Sequence, residues 1–236
     1  MIERVGSRDV MQIQAGDCRL VVSCDSLGGI GLMDGDTVRA DPFTVGYVGI
    51  RPALFEIVCV GAEPILLINN LTISMRPHGE RIIEGMTRVL SRWKVKVFGS
   101  TEENIPTNQT GVGITLIGKT RELRVGLVKK GDLAVAFGEP RVGGEVLDAD
   151  DVCTPQHILE LLKYDIGEII PTGSKGIAHE VRTLARDNQL NVRFSANKEF
   201  LSKSCGPSTV VVASVSPEFL DSIDVGLPMR VVGEFI

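Results

Sequence analysis

Short apolar runs alternate with amphipathic segments along this chain of 236 residues, and that alternation limits the fold more than any other feature. Residues 20–23, 65–74, 95–98 and 112–118 are rich in aliphatic and β-branched side chains, which is typical of strands. Residues 78–93 repeat apolar side chains every three or four positions, which predicts a helix with one apolar face. Strands interleaved with helices predict a mixed α+β fold.

The alternation starts a second time after the turn at Lys129-Lys130-Gly131-Asp132. Beyond that turn the pattern predicts strands at residues 133–137, 168–170, 191–194, 209–215 and 229–235, and helices at residues 154–164 and 174–188. We therefore predict two domains of similar size, residues 1–122 and residues 123–236.

A further helix is predicted to start at Asp41-Pro42, because Asp is a good N-cap and Pro fits the first helical position. The apolar pattern that follows continues to Gly61. Pro52 lies inside this stretch and predicts a kink or a break, since proline has no backbone N–H to donate.

Composition excludes several classes of function. Hydrophobic residues make up 43% of the chain, which is enough to bury a core. The net charge is −5 without any basic block, and aromatic residues are 5%, so neither phosphate neutralisation nor base stacking favours a nucleic-acid partner. The 5 cysteines form no CxxC pair, which predicts reduced thiols rather than disulfides or a zinc site.

The apolar segments do not predict a membrane protein. The first ten residues carry several charges, unlike a secretory signal peptide. The most apolar stretch, residues 45–71, is interrupted by Arg51, Glu56 and Glu63, which argues against a membrane span. The expected location is the cytoplasm.

An aspartate directly after an apolar run is the first candidate for chemistry. Asp25 follows residues 20–23 and precedes Gly28 and Gly29. Mg²⁺ prefers carboxylate oxygens and bridges them to phosphates, and glycines let backbone N–H groups approach a phosphate closely. This arrangement suits a metal–nucleotide site. In the alternative interpretation Asp25 caps a turn and the glycines only permit positive φ.

A second candidate is the acidic loop that contains Glu102, Glu103 and Asn104, after Gly99 and Ser100. Adjacent carboxylates repel each other unless they are solvated or share a cation, which makes a second metal site plausible. The alternative is a solvated, acidic start of a helix.

No P-loop is predicted: residues 113–120 match GxxxxGK[ST] letter by letter, but they coincide with the strand predicted at residues 112–118 and do not form a loop before a helix. GxGxxG does not occur. Gly173-Ser174-Lys175-Gly176 precedes a predicted helix, and the free N–H groups of a helix start can bind an anion. The alternative there is an ordinary helix start with Ser174 as its cap. No GxSxG motif indicates a nucleophilic hydrolase.

The order of these blocks resembles the aminoimidazole ribonucleotide synthetase (PurM-like) superfamily, which includes thiamine-monophosphate kinase, selenophosphate synthetase and a hydrogenase maturation protein. The resemblance covers nearly the whole chain. The blocks that carry it are Val5-Gly6-Ser7-Arg8-Asp9, Val21-Val22-Ser23-Cys24-Asp25 with Gly28-Gly29, Asp41-Pro42 through Glu56 to Gly61-Ala62-Glu63-Pro64, Gly99-Ser100-Thr101-Glu102-Glu103, Lys130-Gly131-Asp132 and Gly173-Ser174-Lys175-Gly176-Ile177-Ala178.

The resemblance implies two α+β domains in each subunit of a homodimer, with the N-terminal domains paired and ATP in a cleft near their interface. It implies that Mg²⁺ is held by carboxylates, here Asp9, Asp25, Glu56, Glu102 and Glu103. The nucleotide would contact Gly28, Gly29, Gly99, Ser100 and Asn104. Asp25 would be essential for catalysis, and Lys175 would neutralise charge on the transferred phosphoryl group.

Several positions depart from the pattern of the superfamily. Arg8 replaces an acid, Glu56 stands where an aspartate is common, Thr101 takes an acid position, and Lys175 replaces an aspartate of the thiamine-monophosphate kinases. These changes argue against that kinase and against the synthetase itself.

Among short members of the superfamily, a Gly-Ser-Thr-Glu-Glu-Asn loop resembles α-ribazole kinase, which phosphorylates a nucleoside-like acceptor in cobalamin lower-ligand salvage. Two alternatives stay open: an ATP-dependent synthetase or ligase of the same architecture, and a non-catalytic nucleotide-binding protein.

Overall fold

The computed structural model describes residues 1–236, which fold into two compact units. Unit 1 consists of Met1–Glu3, Asp9–Ile57 and Ala62–Arg121, and unit 2 of Arg4–Arg8, Val58–Gly61 and Glu122–Ile236. Each unit contains a β-sheet and helices, so the predicted α+β class is confirmed.

The first eight strands of the chain are β1 (Ile2–Arg4), β2 (Val10–Ala15), β3 (Cys18–Gly28), β4 (Ile30–Gly31), β5 (Val38–Arg39), β6 (Glu63–Leu71), β7 (Lys96–Thr101) and β8 (Gly111–Thr120). Six of them form the large sheet of unit 1, in the order β1-β2-β3-β8-β6-β7. The other two, β4 and β5, form a separate parallel pair. In the large sheet β8 pairs antiparallel with both β3 and β6, whereas β6 and β7 are parallel.

Helices pack on one face of this sheet. They are α1 (Pro42–Gly49), α2 (Arg51–Cys59) and α3 (Glu80–Leu90). The Asp41 carboxylate accepts a hydrogen bond from the backbone N–H of Phe43, so the predicted N-cap is confirmed. The predicted break is also found: α1 ends before Ile50, and Pro52 is the second residue of α2, where a missing N–H costs nothing.

Two glycines set the close crossing of α1 and α3. A Cβ atom at Gly46 would overlap the Ile82 carbonyl, and one at Gly85 would overlap the Phe43 carbonyl. Only glycine therefore allows the two helix backbones to approach this closely. The helices cover Val21, Leu67 and Leu116, all fully buried.

Unit 2 contains a 5-stranded antiparallel sheet with the order β10-β12-β9-β13-β11. Its strands are β9 (Leu133–Phe137), β10 (Ile169–Pro171), β11 (Val192–Phe194), β12 (Val211–Val215) and β13 (Met229–Phe235), and its helices are α4 (Pro155–Leu161), α5 (Ile177–Asp187) and α6 (Lys198–Ser202). Every residue of β12 is buried, which fits its apolar side chains, and its one polar residue, Ser214, accepts a hydrogen bond from the N–H of Glu168.

The predicted element boundaries needed several corrections. β3 continues past residue 23 to Gly28 because it pairs with β8 along its whole length. β7 continues to Thr101 through its parallel pairing with β6. The helix predicted at residues 78–93 is shorter, since an irregular turn at Met75–Gly79 precedes α3. No helix of the protein has the length and apolar character needed to cross a bilayer.

Candidate functional site

The candidate site lies at one edge of the unit 1 sheet, where β3, β6 and β7 end and β8 begins. Leu27 of β3 pairs with Val112 of β8, Val112 pairs with Leu71 of β6, and Leu71 pairs with Thr101 of β7. The segments that follow or precede these four residues therefore meet side by side. This sheet edge brings together the predicted loop of Gly28 and Gly29 and the acidic loop that contains Glu102.

Asp25 stands one row inside the sheet edge. It lies within β3 rather than in a loop, opposite Ile114, and shares a face with Ser23, whose hydroxyl donates to the carbonyl of Ala53 in α2. Burial on this helix-covered face raises the pKa of the Asp25 carboxyl above its usual value, although a hydrogen bond from the Ser26 backbone opposes the shift. A partly buried carboxylate is costly without a cation, which is consistent with the metal-binding role expected of Asp25, and that role stays a prediction.

Gly28 and Gly29 line a shallow hollow of about 320 Å³, which we call the glycine hollow. It is lined by Gly28, Gly29, Thr37, Thr72, Gln109, Thr110 and Gly111. The N–H of Gly29 donates to the carbonyl of Thr110 at 2.9 Å, so it is already engaged in this structure, and the contact of Gly28 and Gly29 with a nucleotide stays a prediction. Gly29 has a φ of +70°, which turns the chain out of the sheet. The polar groups that line the hollow are mainly hydroxyl and amide side chains.

A buried carboxylate that sequence reasoning missed holds this hollow together. Asp36 is 8% exposed and accepts hydrogen bonds from the N–H of Met33, the N–H of Thr110 and the hydroxyl of Thr110, at 2.9, 2.8 and 2.7 Å. It thereby fixes the loop after β4 to the start of β8. An Asp-Gly-Asp turn in a loop resembles ordinary turn chemistry, so no sequence signal distinguished it.

The acidic loop is an ordered turn, and the alternative of a helix start is wrong. Glu102 accepts hydrogen bonds from the N–H groups of Asn104 and Ile105 at 2.7 and 3.0 Å, and these lower the pKa of its carboxyl. Glu103 accepts from the hydroxyl of Thr101 at 2.6 Å and from the N–H of Met75 at 2.8 Å, which likewise lower the pKa of its carboxyl. Both carboxylates are therefore charged at neutral pH. In each, these hydrogen bonds engage one of the two oxygens.

Gly99 and Ser100 belong to β7 and not to a loop. As neighbours in a strand they lie on opposite faces of the sheet, so they cannot both face one ligand from the same side. A Cβ atom at Gly99 would overlap the backbone carbonyl of Asn69 on the neighbouring strand, which explains the glycine by packing. Ser100 and Asn104 are exposed. Their contact with a nucleotide stays a prediction.

The five predicted metal ligands do not converge. Asp9 is exposed just before β2, and Glu56 is half-buried in α2. Nowhere in residues 1–236 do three or more His, Cys, Asp or Glu side chains come together as a metal site. Glu103 lies close enough to Glu102 for its negative charge to oppose the lowering of the Glu102 pKa. A pair of carboxylates plus phosphate oxygens is a usual Mg²⁺ environment, so a metal–nucleotide site fits here better than an all-protein cage.

Arg8, which replaces an acid of the superfamily pattern, has a structural role within unit 2. Its guanidinium donates to Glu168 at 2.6 Å and to the carbonyl of Ile169 at 2.8 Å, and both charged side chains are 1% exposed. Glu168 also accepts from the N–H of Leu127 and the amide of Asn188. Sequence reasoning did not identify Glu168 as the partner of Arg8, because the two residues lie 160 positions apart in the chain.

Lys175 is exposed in the loop before α5, in unit 2, whereas the sheet edge belongs to unit 1. The N-cap of α5 is Gly176 and not Ser174, so the alternative of a Ser174 cap is wrong. Gly176 has a φ of +78°, and a Cβ atom there would lie 2.8 Å from the carbonyl of Leu201. The catalytic role of Lys175 stays a prediction.

Comparison with known proteins finds similarity to AIR synthase-related proteins in the N-terminal half of the chain. Residues 7–120 match the family of the AIR synthase related protein, N-terminal domain. The phosphoribosylformylglycinamidine cyclo-ligase of Methanocaldococcus jannaschii is 25% identical over 181 residues, which cover 74% of this chain and 50% of that protein. The chain thus spans about half the length of this curated relative.

Solved structures share the fold at low sequence identity. The thiamine monophosphate kinase of Aquifex aeolicus matches with a TM-score of 0.65 at 16% identity, over 95% of this chain and 88% of that one. AaThiL complexed with AMPPCP and TMP matches with 0.68 at 16% identity, over 97% and 84%. T. maritima PurL complexed with ADP matches with 0.69 at 16% identity, over 100% and 43%. The PurM-like fold expected from the motif order is therefore confirmed.

Proposed function

We propose that this chain, with an AIR synthase-related N-terminal half and a PurM-like fold, is an ATP-dependent kinase that phosphorylates a nucleoside-like acceptor, α-ribazole being the leading candidate. The observation that carries the proposal is the sheet edge of unit 1. There a glycine-lined hollow and a partly buried carboxyl at the end of β3, and two ordered carboxylates after β7, lie along one edge of the same sheet. Neighbours of the same fold bind AMPPCP or ADP, which supports ATP as the phosphoryl donor.

The metal implied by this reaction is Mg²⁺. Glu102 and Glu103 would hold it through the oxygens that their turn leaves available. Asp25 remains a proposed ligand on β3, which β8 and β6 separate from β7 and its turn. When bound, Mg²⁺ neutralises phosphate charge and orients the transferred group. Asp9 and Glu56 also remain proposed ligands. In this structure no three possible ligands lie together, so Asp9 and Glu56 would bind the metal only if the carboxylates came closer to one another.

The chain itself would supply binding and positioning. Hydroxyl groups of Thr37 and Thr72 line the glycine hollow and can donate to phosphate oxygens. Lys175 would offset negative charge on the transferred group, as the resemblance implies. Phosphoryl transfer depends mostly on such positioning and charge neutralisation, so the absence of a nucleophile motif is consistent with the proposal.

The acceptor is inferred from the departures of the sequence. Arg8 serves an ion pair within unit 2, and Lys175 replaces an acid of the thiamine-monophosphate kinases. The Gly-Ser-Thr-Glu-Glu-Asn segment spans the end of β7 and the ordered acidic turn. These features support an acceptor other than thiamine monophosphate.

A synthetase or ligase is the second candidate, and the 25% identity to a cyclo-ligase favours it. Both candidates consume ATP, but they differ in product. A kinase yields the acceptor plus one phosphate, whereas a ligase closes or joins the acceptor and releases phosphate. A non-catalytic nucleotide-binding protein would bind ATP without turnover.

We also propose that two copies pair through unit 1 in the cytoplasm. The sheet face opposite the helices carries Cys24, which is exposed, and Phe98, which is 70% exposed. An uncovered sheet face with a large apolar side chain is typical of an interface. Sedimentation equilibrium measures the mass of the assembly, and a monomer at all concentrations would contradict this pairing.

The test of function combines product analysis with one matched pair of variants. The protein is incubated with Mg-ATP and α-ribazole or thiamine monophosphate, and products are identified by mass spectrometry. We expect α-ribazole phosphate and ADP, with turnover abolished in Asp25→Asn. Asp17→Asn is the control, because Asp17 is exposed in the turn just before β3 and the charge change is the same. Near-normal activity of Asp25→Asn would refute the assigned role of Asp25.

A further inference from the structure

A second hollow opens at the same sheet edge, beside the glycine hollow. It has a volume of about 210 Å³ and is lined by Met33, Ile73, Ser74, Arg76, Pro77, His78, Glu102, Ile105, Pro106 and Thr107. All of these residues belong to unit 1. We call it the ring hollow.

The two hollows share a wall. Thr72 lines the glycine hollow, and its carbonyl accepts a hydrogen bond of 2.6 Å from the hydroxyl of Thr107, which lines the ring hollow. Gln109 lies two residues further along the same segment and lines the glycine hollow. The two hollows therefore adjoin each other at Thr72 and Thr107.

The chemistry of the ring hollow differs from that of its neighbour. Half of its lining is apolar, namely Met33, Ile73, Pro77, Ile105 and Pro106. Polar atoms are confined to a few side chains, including the imidazole of His78 and the carboxylate of Glu102. Apolar walls with a small number of polar groups are the usual composition of a site for an organic ligand.

The walls are preformed. Glu102 fixes the backbone of Ile105 through its hydrogen bond of 3.0 Å, and Glu103 ties the same turn to Met75 at 2.8 Å. Ile105 is nevertheless 67% exposed, so a large apolar side chain is held against the opening of the hollow with little cover of its own. A ligand that packs on Ile105 would remove apolar surface from water at little ordering cost.

Size limits which part of a substrate the ring hollow can hold. The volume of about 210 Å³ is below the range of about 300–1,000 Å³ found for sites of drug-sized ligands, so it suits one flat ring system.

We propose that the ring hollow binds the aromatic heterocycle of the acceptor, with the heterocycle against Ile105 and His78 and the acceptor's hydroxyl arm directed towards the glycine hollow. This inference rests on the proposed kinase function and names the substrate class, a flat heterocycle on a hydroxyl-bearing arm. Ile105 and His78 then determine which acceptor is used and make no contact with the transferred phosphoryl group.

Steady-state kinetics of Ile105→Ser test the proposal, with α-ribazole and Mg-ATP as substrates. We expect KM for α-ribazole to rise about tenfold, which corresponds to about 1.4 kcal/mol, while KM for ATP stays within about twofold. His78→Ala should shift the same KM. Ile2→Ser is the matched control, since Ile2 is 68% exposed in unit 1 and lines neither hollow. The proposal would be overturned if KM for α-ribazole were unchanged in Ile105→Ser and in His78→Ala. It would also be overturned if these variants changed KM for α-ribazole and KM for ATP equally.

A direct titration separates this inference from the proposed function. If the wild-type protein does not phosphorylate α-ribazole, the proposed acceptor is wrong. The ring hollow is then tested separately, by titrating the protein with 5,6-dimethylbenzimidazole and measuring its binding. Saturable binding that is lost in Ile105→Ser and kept in Ile2→Ser supports a ring site. Absence of saturable binding to the wild-type protein rejects it.

Discussion

The buried ion pair of unit 2 gives the sharpest test of how this chain is held together. In Arg8→Met the guanidinium that donates to Glu168 at 2.6 Å and to the Ile169 carbonyl at 2.8 Å is removed. Glu168 stays 1% exposed, without its counter-charge. Removal of one partner from a buried pair typically costs about 3–5 kcal/mol.

The structure places the expected loss near the lower end of that range. Glu168 keeps the N–H of Leu127 at 2.9 Å and the amide of Asn188 at 2.7 Å, which partly compensate its charge. We therefore expect Arg8→Met to lower the free energy of unfolding of unit 2 by about 3 kcal/mol. Hydrogen exchange resolved by residue measures this value, because a chain with two units need not unfold in one step.

Arg193→Met is the matched control in the same unit. Its guanidinium donates to Glu234 at 2.8 Å, but the two side chains are 67% and 40% exposed. An exposed pair of this kind contributes about 0.2–1 kcal/mol. The double variant Arg8→Met, Glu168→Leu should recover part of the loss, since it leaves no buried charge. A loss below about 1 kcal/mol in Arg8→Met, equal to that of the control, would refute the reasoning.

Three further predictions concern unit 1. Asp36→Asn should weaken Mg-ATP binding by loosening the glycine hollow, measured by calorimetry, whereas Asp34→Asn, an exposed acid in the same loop, should bind as the wild type does. Because burial raises the pKa of the Asp25 carboxyl above its ordinary value of 3.8, the free energy of unfolding falls as pH rises from about 3.8 through the raised pKa, and the loss is complete above it. Asp25→Asn should therefore stabilise unit 1 at neutral pH and make no difference below about pH 3.8; equal effects at both pH values would contradict this. Gly85→Ala should destabilise unit 1 by about 1–3 kcal/mol in urea unfolding, because its Cβ overlaps the Phe43 carbonyl, and a neutral result would show that α1 and α3 can separate.

Elements whose signals are local were predictable. Asp41 caps α1, and Thr154 with Pro155 starts α4, because capping depends on residues within one turn. The strand at residues 133–137 has the predicted bounds, since its apolar run is bounded by turns on both sides. The order of the motifs also indicated the fold that the structural neighbours confirm.

Elements that depend on partners were less predictable. The short strand β2 and the extension of β3 to Gly28 arise from pairing with neighbouring strands, and pairing adds no local signal. The predicted strand ended at residue 98, but β7 continues through Gly99, where the neighbouring backbone of Asn69 leaves no room for a Cβ atom. Strand boundaries therefore followed the sheet and not the local pattern.

By itself, the sequence determined the α+β class, the starts of α1 and α4, the break near Pro52 and the acidic and glycine-rich segments from which a nucleotide site was inferred. Only the tertiary structure decided that Arg8 belongs to an ion pair with Glu168, that Asp36 fixes the glycine hollow, and that the predicted metal ligands do not all converge. The physical reason is distance along the chain. Hydrogen bonds and ion pairs act over a few ångströms in space, and residues far apart in sequence reach that range only after the strands have paired and the helices have packed.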